Sequence, residues 1–95
     1  MTDMPRILSA EPVVHGVIKV AWDDGYEGVI DLRGIMARGK IFTPLSDGEY
    51  FRSVKVSDHG HSVFWGEPDH EDIDFGAERL RELAEQQAAL LAHAN

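Results

Sequence analysis

Cysteine is missing from this chain of 95 residues. Its absence excludes disulfides, thiolate nucleophiles and the closed zinc sites that depend on cysteine ligands. A chain without cysteine is typical of a reducing compartment, where disulfides are rare. We therefore expect a cytoplasmic protein.

Long apolar runs are also lacking. No stretch approaches the ~20 apolar residues that a transmembrane helix requires. Residues 1–5 contain neither the basic region nor the apolar segment of a signal peptide. We expect no membrane contact.

Motifs of common enzyme sites are absent as well. The sequence contains no Gly-x-Ser-x-Gly elbow, no P-loop and no Gly-x-Gly-x-x-Gly. We therefore assign no catalytic residue and no cofactor, and we expect a protein that is not an enzyme.

Basic residues are scarce. Nine Lys and Arg stand against 17 Asp and Glu, which gives a net charge of −8. Residues 61–95 hold two of these basic residues and eight of the acidic ones, a net charge of −6. Because DNA affinity comes largely from phosphate neutralisation, this balance disfavours a nucleic-acid partner. The acidic segment is typical of a solvated face, and the alternative is a docking surface for a basic protein.

Two hairpin patterns dominate the remaining sequence. The first joins Val17–Trp22 to Tyr26–Leu32 through a three-residue turn, which places Ile18 opposite Ile30 and gathers the large apolar side chains on one face. It follows a first strand that begins at Arg6.

The second hairpin joins Ser53–Ser57 to Ser62–Trp65. An even-length loop there sets Val56 opposite Val63 and Val54 opposite Trp65. A three-residue loop would instead place polar residues opposite Val63 and Trp65.

Between the hairpins we predict two short helices, one over Arg33–Arg38 and one over Asp47–Phe51 with Ser46 as its N-cap. Ile41–Leu45 is predicted as loop. Residues 66–72 are predicted as a turn-rich acidic loop, and Asp74 as the N-cap of a longer helix that ends near His93.

The predicted fold is α+β and one domain over residues 1–95, with a core region over 1–75 and a C-terminal helix over 76–95. An antiparallel sheet of four or five strands from the two hairpins, with the two short helices between them, forms its centre. The expected core residues are Ile18, Trp22, Ile30, Val54, Val56, Val63 and Trp65.

The order of these pieces resembles a bacterial domain-of-unknown-function family, number 2442. The residues that carry the resemblance are Pro5-Arg6-Ile7, Trp22-Asp23-Asp24-Gly25, Asp31-Leu32, Phe42-Thr43-Pro44-Leu45, Phe51, Val54, Val56, Trp65 and Asp72-Ile73. Two features depart from the family: Trp65 is followed by Gly66 instead of proline, and the helix continues beyond Leu80.

Relatives in that family tend to be encoded beside a second small protein, in an arrangement that resembles a toxin–antitoxin pair. The resemblance therefore implies a partner-binding role by analogy. Some members of such families carry a C-terminal helix-turn-helix DNA-binding domain, but residues 76–95 are predicted as one acidic helix, so we do not expect DNA binding. The family offers no catalytic residue to transfer.

Histidines and carboxylates offer one candidate ligand site. His59, His61 and His70 are weak metal candidates, because imidazole and carboxylate groups suit zinc, nickel or iron. The alternative function is thus a small ligand- or metal-binding domain, or a minor enzyme, with its site near His61, His70 and Asp72.

Our main hypothesis is a small non-enzymatic protein-binding or regulatory module, antitoxin-like by analogy. It binds a protein partner or forms a homo-oligomer. The candidate partner-binding residues lie in the acidic loop and on the apolar stripe of the last helix: Asp69, Glu71, Asp72, Leu83, Leu90 and Leu91.

Overall fold

Six strands form two antiparallel sheets. The computed structural model describes residues 5–67 and 70–92, with the backbone alone at residues 70–72. The first sheet has the order β1 (Ile7–Val14), β2 (Val17–Trp22), β3 (Glu27–Asp31). The second has the order β4 (Lys55–Val56), β5 (Ser62–Glu67), β6 (His70–Gly76). The prediction of one sheet with four or five strands was therefore wrong, although the α+β class is confirmed.

The first hairpin has the predicted register. Ile18 lies opposite Ile30 and Val20 opposite Gly28. The Trp22 amide donates to the Tyr26 carbonyl at 2.9 Å, which closes the three-residue turn. The last turn residue, Gly25, has φ = 92°, a conformation that glycine adopts without a steric penalty.

β6 is the largest departure from the prediction. Residues 66–72 were predicted as an acidic loop, but β5 continues through Gly66 and β6 begins within that segment. Asp74, predicted as a helix N-cap, pairs with Phe64 inside β6. Ile73 and Phe75 are buried while Asp74 is exposed, which is the two-residue alternation of a half-buried strand.

The segment between the hairpins contains helices of two kinds. α1 (Arg33–Met36) and α2 (Gly48–Arg52) are the two predicted short helices. Residues 41–45 are not loop, because they belong to a 3₁₀ helix over Lys40–Ser46. A further 3₁₀ turn covers Asp58–Gly60 in the second hairpin.

The N-cap of α2 is Asp47, so the assignment of Ser46 was wrong. The Asp47 carboxylate accepts hydrogen bonds from the amides of Glu49 and Tyr50 at 2.9 and 3.2 Å. The Ser46 hydroxyl donates instead to the Thr43 carbonyl at 2.7 Å. Asp47 has extended backbone immediately before the helix, which is the geometry that an N-cap requires.

One hydrophobic cluster joins both sheets to the helix α3 (Ala77–Ala92). Trp22, Ile30, Val63 and Trp65 are buried as predicted, and so is Ile18. Val54 and Val56 are only partly buried, because β4 is a two-residue strand at the edge of its sheet.

A helix that crosses a bilayer is long and predominantly apolar. In the part of the chain that the structure describes, no helix combines sufficient length with sufficient apolarity to span a membrane.

Candidate functional site

The first half of α3 is fixed to the core. Leu80, Leu83 and Ala84 are all buried. Ala84 packs directly on β3, since a Cβ added at Gly28 would lie 2.8 Å from the Ala84 Cβ. The absence of a side chain at Gly28 thus allows the helix to approach the strand closely.

Arg81 anchors the helix to the tip of the first hairpin. Its guanidinium donates to the Asp24 carboxylate at 2.9 and 3.3 Å and to Glu85 at 2.9 Å. It also lies 4.1 Å from the ring centroid of Tyr26 and 5.3 Å from that of Trp22. The hydrogen bond from Arg81 holds the pKa of Asp24 below its ordinary value.

Gln87 forms the last polar contact between α3 and the sheet. Its side-chain oxygen accepts from the Asp31 amide at 2.8 Å, and its side-chain nitrogen donates to the Asp31 carbonyl at 3.1 Å. One amide side chain therefore satisfies both backbone groups of a residue on the edge strand β3.

Beyond Gln87 the apolar side chains are exposed. Leu90 is 72% and Leu91 74% exposed, and the neighbouring edge residue Val29 is 54% exposed. These leucines continue the stripe that buries Leu80 and Leu83, because helix positions three and four apart share a face. We call the helix from Gln87 to Ala92 the distal half of α3.

A groove of about 390 Å³ runs between β3 and α3. Its lining comes from both elements and from the residues next to β3: Val17, Tyr26, Glu27, Gly28, Val29, Asp31, Arg33, Ala84, Gln87, Ala88 and Leu91. A second depression of about 380 Å³ lies beside it and reaches Gly34 and Leu90. The distal half of α3 therefore borders two adjacent depressions.

The predicted partner-binding residues lie in different environments. Leu90 and Leu91 are exposed, while Leu83 belongs to the core. Glu71 and Asp72 lie in β6, but their side chains, like the whole of Asp69, lie outside what the structure describes.

Val29, Ala88 and Gln87 also line this surface, although none of them was predicted as a partner-binding residue. The interruption of the helix stripe by a polar Gln87 was the one signal available. In the structure that glutamine pairs with both backbone groups of Asp31.

The candidate metal residues do not form a cluster in the described region. The rings of His59 and His61 are 6.2 Å apart, tilted by 58°, and both residues are exposed. Within the described residues, no three His, Asp or Glu side chains come close enough to hold an ion. The side chain of His70 lies outside the described set.

A profile of one protein family matches residues 9–86, described as a protein of unknown function (DUF2442). The chain belongs to this family. No curated protein and no solved structure gave a match. Several residues that carry the family pattern, including Trp22, Phe51 and Trp65, are buried. Leu90 and Leu91 lie beyond the matched residues.

Proposed function

We propose that this DUF2442 chain is a non-enzymatic protein-binding module that docks a protein partner on the distal half of α3. The observation that carries the proposal is the exposure of Leu90 and Leu91 on the same stripe that forms the core further along the helix. Burying a leucine side chain contributes about 1.5–3 kcal/mol, so two exposed leucines form a substantial site for association.

The surface also has the form of a known recognition mode. Helix faces that lie against a partner use apolar anchors at spacings of three, four and seven residues. Leu90 and Leu91 lie three and four residues after Gln87, which fixes the helix on β3, and Leu90 lies seven residues after the buried Leu83. The partner would then meet a helix whose orientation is already set, which lowers the entropic cost of binding.

Charge supports a basic partner. The chain carries a net charge of −8, which steers oppositely charged proteins toward it and opposes self-association. We place the encounter in the cytoplasm, in keeping with the cysteine-free composition. A regulatory or antitoxin-like role is part of the proposal and rests on analogy alone.

The test is a quantitative capture experiment with nuclease-treated extract of the native host. The baits are the parent chain, Leu90→Glu and Ala89→Glu. Ala89 is exposed on the opposite side of the same helix, so its variant adds the same charge away from the stripe. We expect one stoichiometric protein on the parent and on Ala89→Glu, and at least a tenfold loss on Leu90→Glu.

Equal capture by all three baits would contradict the proposal, as would the lack of any stoichiometric protein. Light scattering of the free chain completes the test. If the free chain is a dimer and Leu90→Glu dissociates it, the surface binds a second copy of the chain instead of a different protein.

A further inference from the structure

The outer edge of β3 has unused hydrogen-bonding groups. The Leu32 amide donates to the Gly16 carbonyl at 2.7 Å and the Tyr26 carbonyl accepts from Trp22, so the backbone groups of even-numbered residues face β2. Successive backbone groups of a strand point to opposite sides. Those of Glu27 and Val29 therefore point away from β2, as those of Asp31 do.

Asp31 shows how this edge is satisfied within the chain. The Gln87 side chain supplies one acceptor and one donor to the two backbone groups of Asp31, as a residue of a neighbouring strand would. Glu27 and Val29 have no such partner on their outer side within the described part of the chain. Gln87 thus occupies one position of a strand-like ladder and leaves the next two free.

The space beside these two residues is the groove of about 390 Å³ described above. Apart from Gln87, its wall on the helix side is made of small or flexible apolar side chains, namely Ala84, Ala88 and Leu91. An edge strand beside a helix is the arrangement to which extended peptides add as an extra strand. Exposed edges that no device protects are also the usual sites of strand addition.

From these contacts we infer that the partner contributes an extended segment that pairs with Glu27 and Val29 as a fourth strand of the first sheet. The inference rests on the proposed protein-binding function and specifies its geometry. Side chains of the segment that face α3 would be small and apolar, to fit against Ala84 and Ala88. Its main-chain groups would continue the ladder that the Gln87 amide begins.

The charge of this chain indicates which side chains the outer face of the segment carries. The side chains of Glu27, Val29 and Asp31 lie together on the outer face of β3, since strand side chains alternate. Glu27 pairs with Lys19 at 3.3 Å in an exposed ion pair, which contributes little stability. The Asp31 carboxylate is held by Arg33 at 2.7 Å. With a net charge of −8 on the chain, we assign lysine or arginine to the outer face of the segment. The same charge disfavours a second copy as the occupant.

The test uses a synthetic eight-residue peptide of alternating lysine and valine. Two further peptides carry N-methyl groups on alternate residues, one set on the amides of every lysine and the other on those of every valine. We expect the parent peptide to slow amide exchange at Val29 at least tenfold at millimolar concentration. Only one of the two methylated peptides should keep this effect, because only one series of amides faces β3.

Two variants of the chain complete the test. Val29→Pro removes an amide that points away from β2, so it leaves the hairpin ladder intact, and it should lower peptide affinity at least tenfold. Val29→Ala keeps the amide and should bind within twofold of the parent chain. A peptide in which glutamate replaces lysine should bind at least tenfold more weakly.

Unchanged exchange at Val29, or equal binding of both methylated peptides, would overturn the inference. In the capture experiment, a partner lost on Leu90→Glu but kept on Val29→Pro would overturn it while leaving the proposed function standing. If the free chain is a dimer and Val29→Pro dissociates it, the segment that pairs with β3 comes from a second copy of the chain. That result would overturn its assignment to a different protein.

Discussion

The two halves of α3 share one apolar stripe but differ in what covers it. In the first half, Leu80 is fully buried and Ala84 lies against Gly28. In the distal half, Leu90 and Leu91 are more than 70% exposed. Periodicity shows which side of a helix is apolar, but the position where the core ends depends on the length of the sheet beneath it. The comparison therefore separates residues that hold the fold from residues that are free to bind.

Substitution of one leucine in each half should give the largest contrast. Leu80→Ala removes a fully buried side chain and should lower the unfolding free energy by about 2–5 kcal/mol. Leu90→Ala should change it by less than about 0.5 kcal/mol. Urea denaturation followed by tryptophan fluorescence measures both values. Similar losses for the two variants would show that Leu90 also belongs to the core.

Substitutions where α3 lies against β3 should have the next largest effect on the unfolding free energy. Gly28→Ala brings a methyl group to 2.8 Å from Ala84 and should cost about 1–3 kcal/mol of stability. Ala84→Gly alone should cost about 1 kcal/mol through helix propensity. The double variant should lose less than the sum, because the two sites are in contact. Strict additivity in the same urea assay would argue against this packing.

Gln87 marks the boundary between the two halves. Gln87→Ala should lower stability by about 1 kcal/mol, because it removes both hydrogen bonds to Asp31. The neighbouring exposed Gln86 provides a matched control, and Gln86→Ala should stay within about 0.5 kcal/mol. Amide exchange at Asp31 should accelerate in the first variant only. Unchanged exchange there would contradict the role given to Gln87.

The smallest expected effect is a pH dependence of stability that comes from Arg81 in the first half of α3. The pKa of Asp24 is lowered from its ordinary 3.8 by the Arg81 hydrogen bond, so the pair stabilises the fold above that pH. This stabilisation is lost as the pH falls through 3.8 to the lowered pKa.

Arg81→Met keeps an apolar side chain over Tyr26 but removes the hydrogen bonds to Asp24 and Glu85. Its stability deficit relative to the parent should therefore shrink on acidification. Thermal unfolding from neutral pH to about pH 2 measures this, and Arg79→Met, on the same helix, is the control. A deficit that does not depend on pH would exclude the Asp24 pair as its cause.

The first hairpin could be predicted from the sequence because only a three-residue turn places Ile18, Val20 and Trp22 on the face that also holds Ile30. A shift by one residue would have exposed all of them. β6 could not be predicted in the same way. Its acidic composition obscured the alternation of Ile73 and Phe75, which was the correct signal.

The candidate site was predictable only in part. Helical spacing placed Leu83, Leu90 and Leu91 on one stripe, but it could not show that Leu83 is covered by the core. The groove depends on the contact between Gly28 and Ala84, and on the bonds between Asp31 and Gln87. The two residues of each pair lie 56 positions apart in the sequence, and no local pattern connects them.

The central claim is that the distal half of α3 becomes covered when the module meets its partner. Amide hydrogen exchange along α3, measured for the free chain and for the captured complex, tests this claim most directly. We predict that Leu83 and Ala84 exchange slowly in both states, and that Leu90 and Leu91 become protected at least tenfold in the complex. Protection gained elsewhere on the chain, with Leu90 and Leu91 unchanged, would contradict the account.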